Sequence, residues 1–170
     1  MKKQILPSRL NSYRKEAKTL FKSLSQNSGL HLRLTKAYPH LTAPRHVRPT
    51  FQLKHIYHLM ALEYGFNNWS EMKEYIIEQD MLYKKSGVAV IHSWFPSYSL
   101  ALAYFKKNGG YLLKFWDDYV VCGPEYIKLL NLHTYAQQWQ LIGYNWVEPA
   151  HLEAYHTLYT TARELYLKRN

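Results

Sequence analysis

Through the first eighty residues the apolar positions recur every three or four residues; after that the spacing changes. Leu10, Tyr13, Ala17, Leu20, Phe21 and Leu24 form one stripe about 100° wide when wound at 100° per residue, so residues 9–27 read as an amphipathic helix. Leu53, Ile56, Tyr57, Met60 and Tyr64 line a second helix over 51–64, and Trp69, Met72 and Ile76 a third over 69–79. From Val88 the pattern turns to β-branched and aromatic runs, Val88–Phe95, Tyr111–Phe115 and Tyr119–Cys122, the last two reading as a hairpin around Trp116-Asp117-Asp118. A chain whose period switches once, from helical to mixed, is constrained to an α+β fold with a small antiparallel sheet.

Punctuation residues divide the pattern further. Ser8 is placed to cap the first helix, and Ser28-Gly29 to stop it. Leu30-His31-Leu32-Arg33-Leu34 fits either a short helix or a strand. Pro39, Pro44 and Pro49 fall within eleven residues and exclude regular structure, leaving a loop that carries Arg45, His46 and Arg48. Thr50 is the expected cap of the second helix, and Leu59 and Leu62 suggest burial of that helix from two sides. Gly65 suits a left-handed helix end with Phe66 folding back, and Asn68 with Glu71 suits a capping pair. Lys84-Lys85-Ser86-Gly87 reads as a hinge. The expected organisation is a basic helical module at 1–80, a hinge at 81–86 and an aromatic-rich part at 87–170. In that last part Pro96-Ser97 opens a helix to Lys107, Pro124 starts another, Thr134 with Gln137 caps a third, and Glu148-Pro149 opens the last. The stripe of this last helix is Leu152, Tyr155, Tyr159, Ala162 and Tyr166.

Charge is as uneven as period. Of a net +10, residues 1–58 hold 12 Lys and Arg against the single acid Glu16, whereas residues 59–170 hold 10 against 11 acids. That asymmetry points to a polyanionic partner, nucleic acid or an acidic protein. Arg14, Lys15, Lys18 and Lys22 gather on a stripe beside the apolar one, and Arg33, Arg45, His46 and Arg48 follow, so these eight are the candidate nucleic-acid contacts. Aromatics run the other way: only five of 27 lie in residues 1–58. A single-strand binder mixes cations with stacking rings, so the two have to be brought together by the fold if at all.

Ala61-Leu62-Glu63-Tyr64-Gly65-Phe66-Asn67-Asn68-Trp69-Ser70-Glu71-Met72 resembles a helix–Gly-Phe–Trp–helix signature of bacterial proteins, some of them labelled glyoxalase-related. The resemblance extends weakly over residues 10–78 and implies a small helical module. It brings no catalytic residues, and the paired His and Glu ligands of a glyoxalase are missing from this sequence. Arg33 with His40, and Arg48 with His55, each enclose six residues, a spacing that resembles the Arg–His pair of HEPN ribonucleases, which act on the scissile phosphate. Both spans contain a proline, a departure from the helical setting of that pair. His55 and His58 adjoin on a helix but lack an obvious third metal ligand. Cys122, the one cysteine, precedes a helix start, where thiols become reactive, but sits in a strand-like apolar run that suits packing. No cofactor is expected. The basic start loses its apolar run at Pro7, too early for a secretory signal, and one cysteine makes no disulfide framework, so a cytoplasmic, non-membrane, non-enzymatic polyanion binder is expected.

Overall fold

A computed structural model describes residues 5–41 and 51–169. The protein is α+β, with eight α-helices and one three-stranded antiparallel sheet among the described residues. It divides into two compact units, residues 1–76 and 77–170. The division falls inside a helix, and the Lys84–Gly87 segment read as a hinge belongs to the second unit.

The first unit is helical. Helix α1 (Leu10–Ser23) buries Leu10, Tyr13 and Ala17. Its expected Ser8 cap is replaced by Arg9, which makes no side-chain capping bond; Tyr13 instead donates its hydroxyl to the Leu6 carbonyl at 2.7 Å, tying down the preceding chain. Burial and the neighbouring Tyr64 push the Tyr13 phenol up to about 12. Helix α1 ends at Ser23, short of the expected stop at Ser28-Gly29, and those two residues open α2 (Ser28–Ala37) instead, because the Asn27 side chain accepts from the Leu30 amide at 2.9 Å. The alternating leucines are therefore helical, with Leu30 and Leu34 buried one turn apart.

Helix α3 (Leu53–Tyr64) starts later than expected, with Gln52 as its cap; Thr50 lies outside the described residues. Ile56, Leu59, Met60 and Ala61 are buried and Leu62 is exposed, so of the two leucines expected to bury a second side only Leu59 does. Gly65 ends the helix at φ 93°, with Gly65 N–H bonding the Leu62 carbonyl and Phe66 N–H the Ala61 carbonyl, a Schellman closure that only a left-handed residue permits. Helix α4 (Trp69–Asp80) begins as read: the Asn68 side chain accepts from the Glu71 amide at 2.9 Å. Glu71 reaches back to Asn67 instead of Asn68, accepting from its amide at 2.8 Å.

In the second unit, β1 (Ile91–Phe95), β2 (Tyr111–Phe115) and β3 (Asp118–Cys122) form the order β1-β3-β2. The expected strand from Val88 begins only at Ile91, since residues 85–90 form a 3-10 helix held against the second unit: Tyr126 accepts from the Lys84 amide, and Lys84 Nζ donates to the Leu129 carbonyl at 2.7 Å. Helix α5 (Tyr98–Asn108) packs Ala101 onto Leu112 and Val121 on one sheet face. Then come α6 (Pro124–Leu129), α7 (Ala136–Leu141) and α8 (Leu152–Arg169). Helix α7 is preceded by a 3-10 turn and capped at Tyr135, so Thr134 is not its cap. Helix α8 starts three residues after Pro149, where His151 Nδ1 accepts from the Ala154 amide at 3.2 Å. Its buried ridge is Ala154, Leu158, Ala162 and Tyr166, and Leu152 is 67% exposed. The free edge of β2 is covered by residues 144–146, through Leu112 N–H to the Tyr144 carbonyl and Trp146 N–H to the Leu112 carbonyl, both 2.9 Å.

Candidate nucleic-acid interface

Leu10, Tyr13 and Ala17 of the α1 apolar stripe face inward, and the stripe of cations beside it faces out. Lys15, Lys18 and Lys22 are exposed, and Arg14 is half-buried with a guanidinium nitrogen 3.4 Å from Asn11 Oδ1. Arg14, Lys18 and Lys22 follow one another at i+4, a row of cations about 6 Å apart along the helix axis. The acid of this helix, Glu16, lies about 100° or more around from each of them. Arg33 differs. It projects from α2 into an ion pair with Glu63 of α3, so part of its charge is already answered within the protein. Arg45, His46 and Arg48 lie outside the described residues.

Four histidines sit nearby, and their roles are local. His55 Nδ1 accepts from the Gln52 amide at 3.0 Å, the reciprocal half of a capping arrangement at the start of α3. Tyr38 packs its ring 4.8 Å from His55, 5.7 Å from His58 and 6.0 Å from His40, and Phe51 lies 5.5 Å from His31 and 6.2 Å from His55. Burial, then Lys54, His40 and His58, lower the His55 pKa below its ordinary value. Among the described residues no three His, Cys, Asp or Glu converge as metal ligands. Of the two Arg–His pairs, one has its arginine bound to Glu63 and the other has Arg48 outside the described residues. Cys122 is buried, its thiol 3.7 Å from the Tyr111 carbonyl, and burial with Glu125 nearby pushes it up to about 12; it is a packed core residue, not a thiolate.

Sequence reasoning missed a groove in the first unit. Where the end of α1, one face of α2 and Phe51 meet, an open cavity of about 1150 Å³ is lined by Phe21, Lys22, His31, Leu32, Thr35 and Phe51, among others. Phe21, assigned to the buried stripe, is 37% exposed, and Leu32 is 55% exposed. The signal was present in the sequence: on a helix Leu32 lies about 200° around from Leu30, off the buried side. No helix among the described residues is long and apolar enough to cross a membrane. No protein-family model, curated protein or solved structure matches the chain.

Proposed function

We propose that this protein binds nucleic acid non-enzymatically, by contacts to phosphates and without sequence readout, through its first unit. The observation that carries this reading is the outward face of α1, where Lys15, Lys18 and Lys22 stand exposed beside Arg14. The surplus of basic residues over residues 1–58 gives the same unit a positive field beyond that helix. Contacts of this kind position a phosphate chain and carry no sequence information.

The test is fluorescence anisotropy with a labelled duplex across a salt series. Four phosphate contacts imply a log–log slope of about −3.6, hence roughly a hundredfold loss of affinity from 50 to 200 mM salt. Replacing Arg14, Lys15, Lys18 and Lys22 by Glu should remove binding at every salt concentration while the circular dichroism stays that of the wild type, since none of the four belongs to the core. Unchanged affinity in that variant would sink the proposal.

A further inference from the structure

Phosphate contacts alone do not distinguish duplex from single strand; the groove beside them does. Lys22 belongs to both features: it ends the cation row of α1 and stands on the rim of the groove. Beyond it four apolar side chains, Phe21 and Leu32 among them, alternate with the polar Ser25, Gln26, Ser28 and His31. Phe21 presents a partly exposed ring, His31 is half-buried, and Leu32 is open to solvent. On α2, Leu32 lies opposite the buried Leu30 and Leu34, and His31 lies at the edge of their face.

The groove also holds an unanswered polar atom. Thr35 Oγ1 is buried and has no hydrogen-bond partner among the described residues, although a helical threonine ordinarily bonds back to the carbonyl four residues earlier. Buried hydroxyls are nearly always satisfied. One that is not, covered from solvent beside an open groove, is reached by a ligand's polar edge only if the side chains over it shift.

We infer that this groove takes unpaired bases, so that the nucleic acid bound by the first unit is single-stranded. This rests on the phosphate-binding face proposed above and names its substrate. A duplex keeps its base faces in its own stack and leaves the groove empty. A single strand laid along Arg14, Lys18 and Lys22 turns its bases toward whichever side offers rings, and that side begins at Phe21, next to Lys22. The pairing of cationic track with aromatic platform is the chemistry of sequence-tolerant single-strand binding. Charge complementarity at the rim favours a polyanion over an uncharged apolar occupant.

The experiment compares labelled unstructured RNA and DNA strands with a duplex of equal length, at one low salt concentration, using the full chain. Wild type should prefer the single strands by about tenfold. Phe21→Ala should lose that preference and retain the duplex affinity and its salt slope; Phe21→Trp should retain the preference and show tryptophan quenching by single strands that the wild type lacks. Circular dichroism melts keep track of folding in both. Equal wild-type affinities for strand and duplex, or an undiminished preference in folded Phe21→Ala, overturns the inference while leaving phosphate binding intact. Loss of all binding in the wild type overturns both. Sedimentation showing a dimer that Phe21→Ala dissociates would assign the groove to a second copy of the chain and likewise overturn it.

Discussion

The start of α3 is built to fail on mild acidification. His55 Nδ1 is an acceptor for the Gln52 amide at 3.0 Å, and only a neutral imidazole has the lone pair for it. Protonation replaces that acceptor with a donor facing a donor. The lost hydrogen bond is worth about 1 kcal/mol, in line with the loss of a helix cap. A cation at the positive end of the helix dipole adds roughly 0.5 kcal/mol, with Lys54 adjacent. The expected cost is therefore about 1.5 kcal/mol, or roughly tenfold in local opening.

The sign follows from the lowered pKa. The unfolded chain binds this proton at its ordinary pKa of about 6.5 and the folded chain only at lower pH, so the unfolded state is the better proton binder between the two. Stability is full above the ordinary value and falls as pH drops through the folded one. Hydrogen exchange of peptides covering α3, measured for wild type and variants at the same pH, reads the effect without interference from intrinsic exchange rates. His55→Gln keeps an acceptor that does not titrate, so it should match wild type at pH 7.5 and exceed its protection about tenfold near pH 5. His55→Ala should open more readily than wild type at pH 7.5 and converge with it near pH 5. Wild type and His55→Gln falling in parallel across this window would refute the reasoning.

Two further predictions concern the fold. Gly65→Val forces a β-branched residue to φ 93° and should cost about 1–2 kcal/mol, with Gly65→Asn costing less; equal urea midpoints for the two variants would mean that the turn does not demand a left-handed residue. Asp80 is buried at the C-terminal end of α4, where the helix dipole opposes a carboxylate, and is held by the Tyr166 hydroxyl at 2.7 Å and Trp116 Nε1 at 3.3 Å. Tyr166→Phe should therefore destabilise the second unit by about 1.5–3 kcal/mol, and a loss below about 0.5 kcal/mol in urea unfolding would show that the hydroxyl is dispensable.

Helix interiors and ends were legible where one strong chemical preference decided them. The α1 stripe, the Gly65 closure, the Asn68 cap and the β2–β3 hairpin all follow from such preferences. Helix starts were less legible, because capping rules favour Ser, Thr, Asp and Asn, whereas α8 begins on a histidine acceptor and α3 on Gln52 with His55 reaching back. An imidazole nitrogen does the same work as a hydroxyl there, but nothing in the sequence marks which histidines do it. The face of α8 is half legible: Ala162 and Tyr166 belong to the expected stripe and are buried, whereas Ala154 and Leu158 lie in the packed ridge in place of the larger Tyr155 and Tyr159. Phe21 was assigned to the core by its angle alone; the stripe of a helix near its C-terminal end buries only as far as its neighbours extend, and α2 leaves that ring at the edge of a groove.

A histidine with a lowered pKa seven residues after an arginine has the outline of a catalytic pair, and perturbed pKa values do cluster at active sites. At His55 the perturbation has a sufficient structural source in burial, Lys54 and two neighbouring imidazoles. A general base offers its lone pair to a substrate proton within hydrogen-bond reach. His55 has committed Nδ1 to the Gln52 amide, and its ring lies against Tyr38 and Phe51. The same neutral imidazole that secures the helix start is thus withdrawn from proton transfer at that nitrogen. The proposed binding of a polyanion rests on the other side of this unit's chemistry: exposed ammonium groups on α1, which need no titration to bind phosphate, next to the part-exposed Phe21 ring, which needs none to stack.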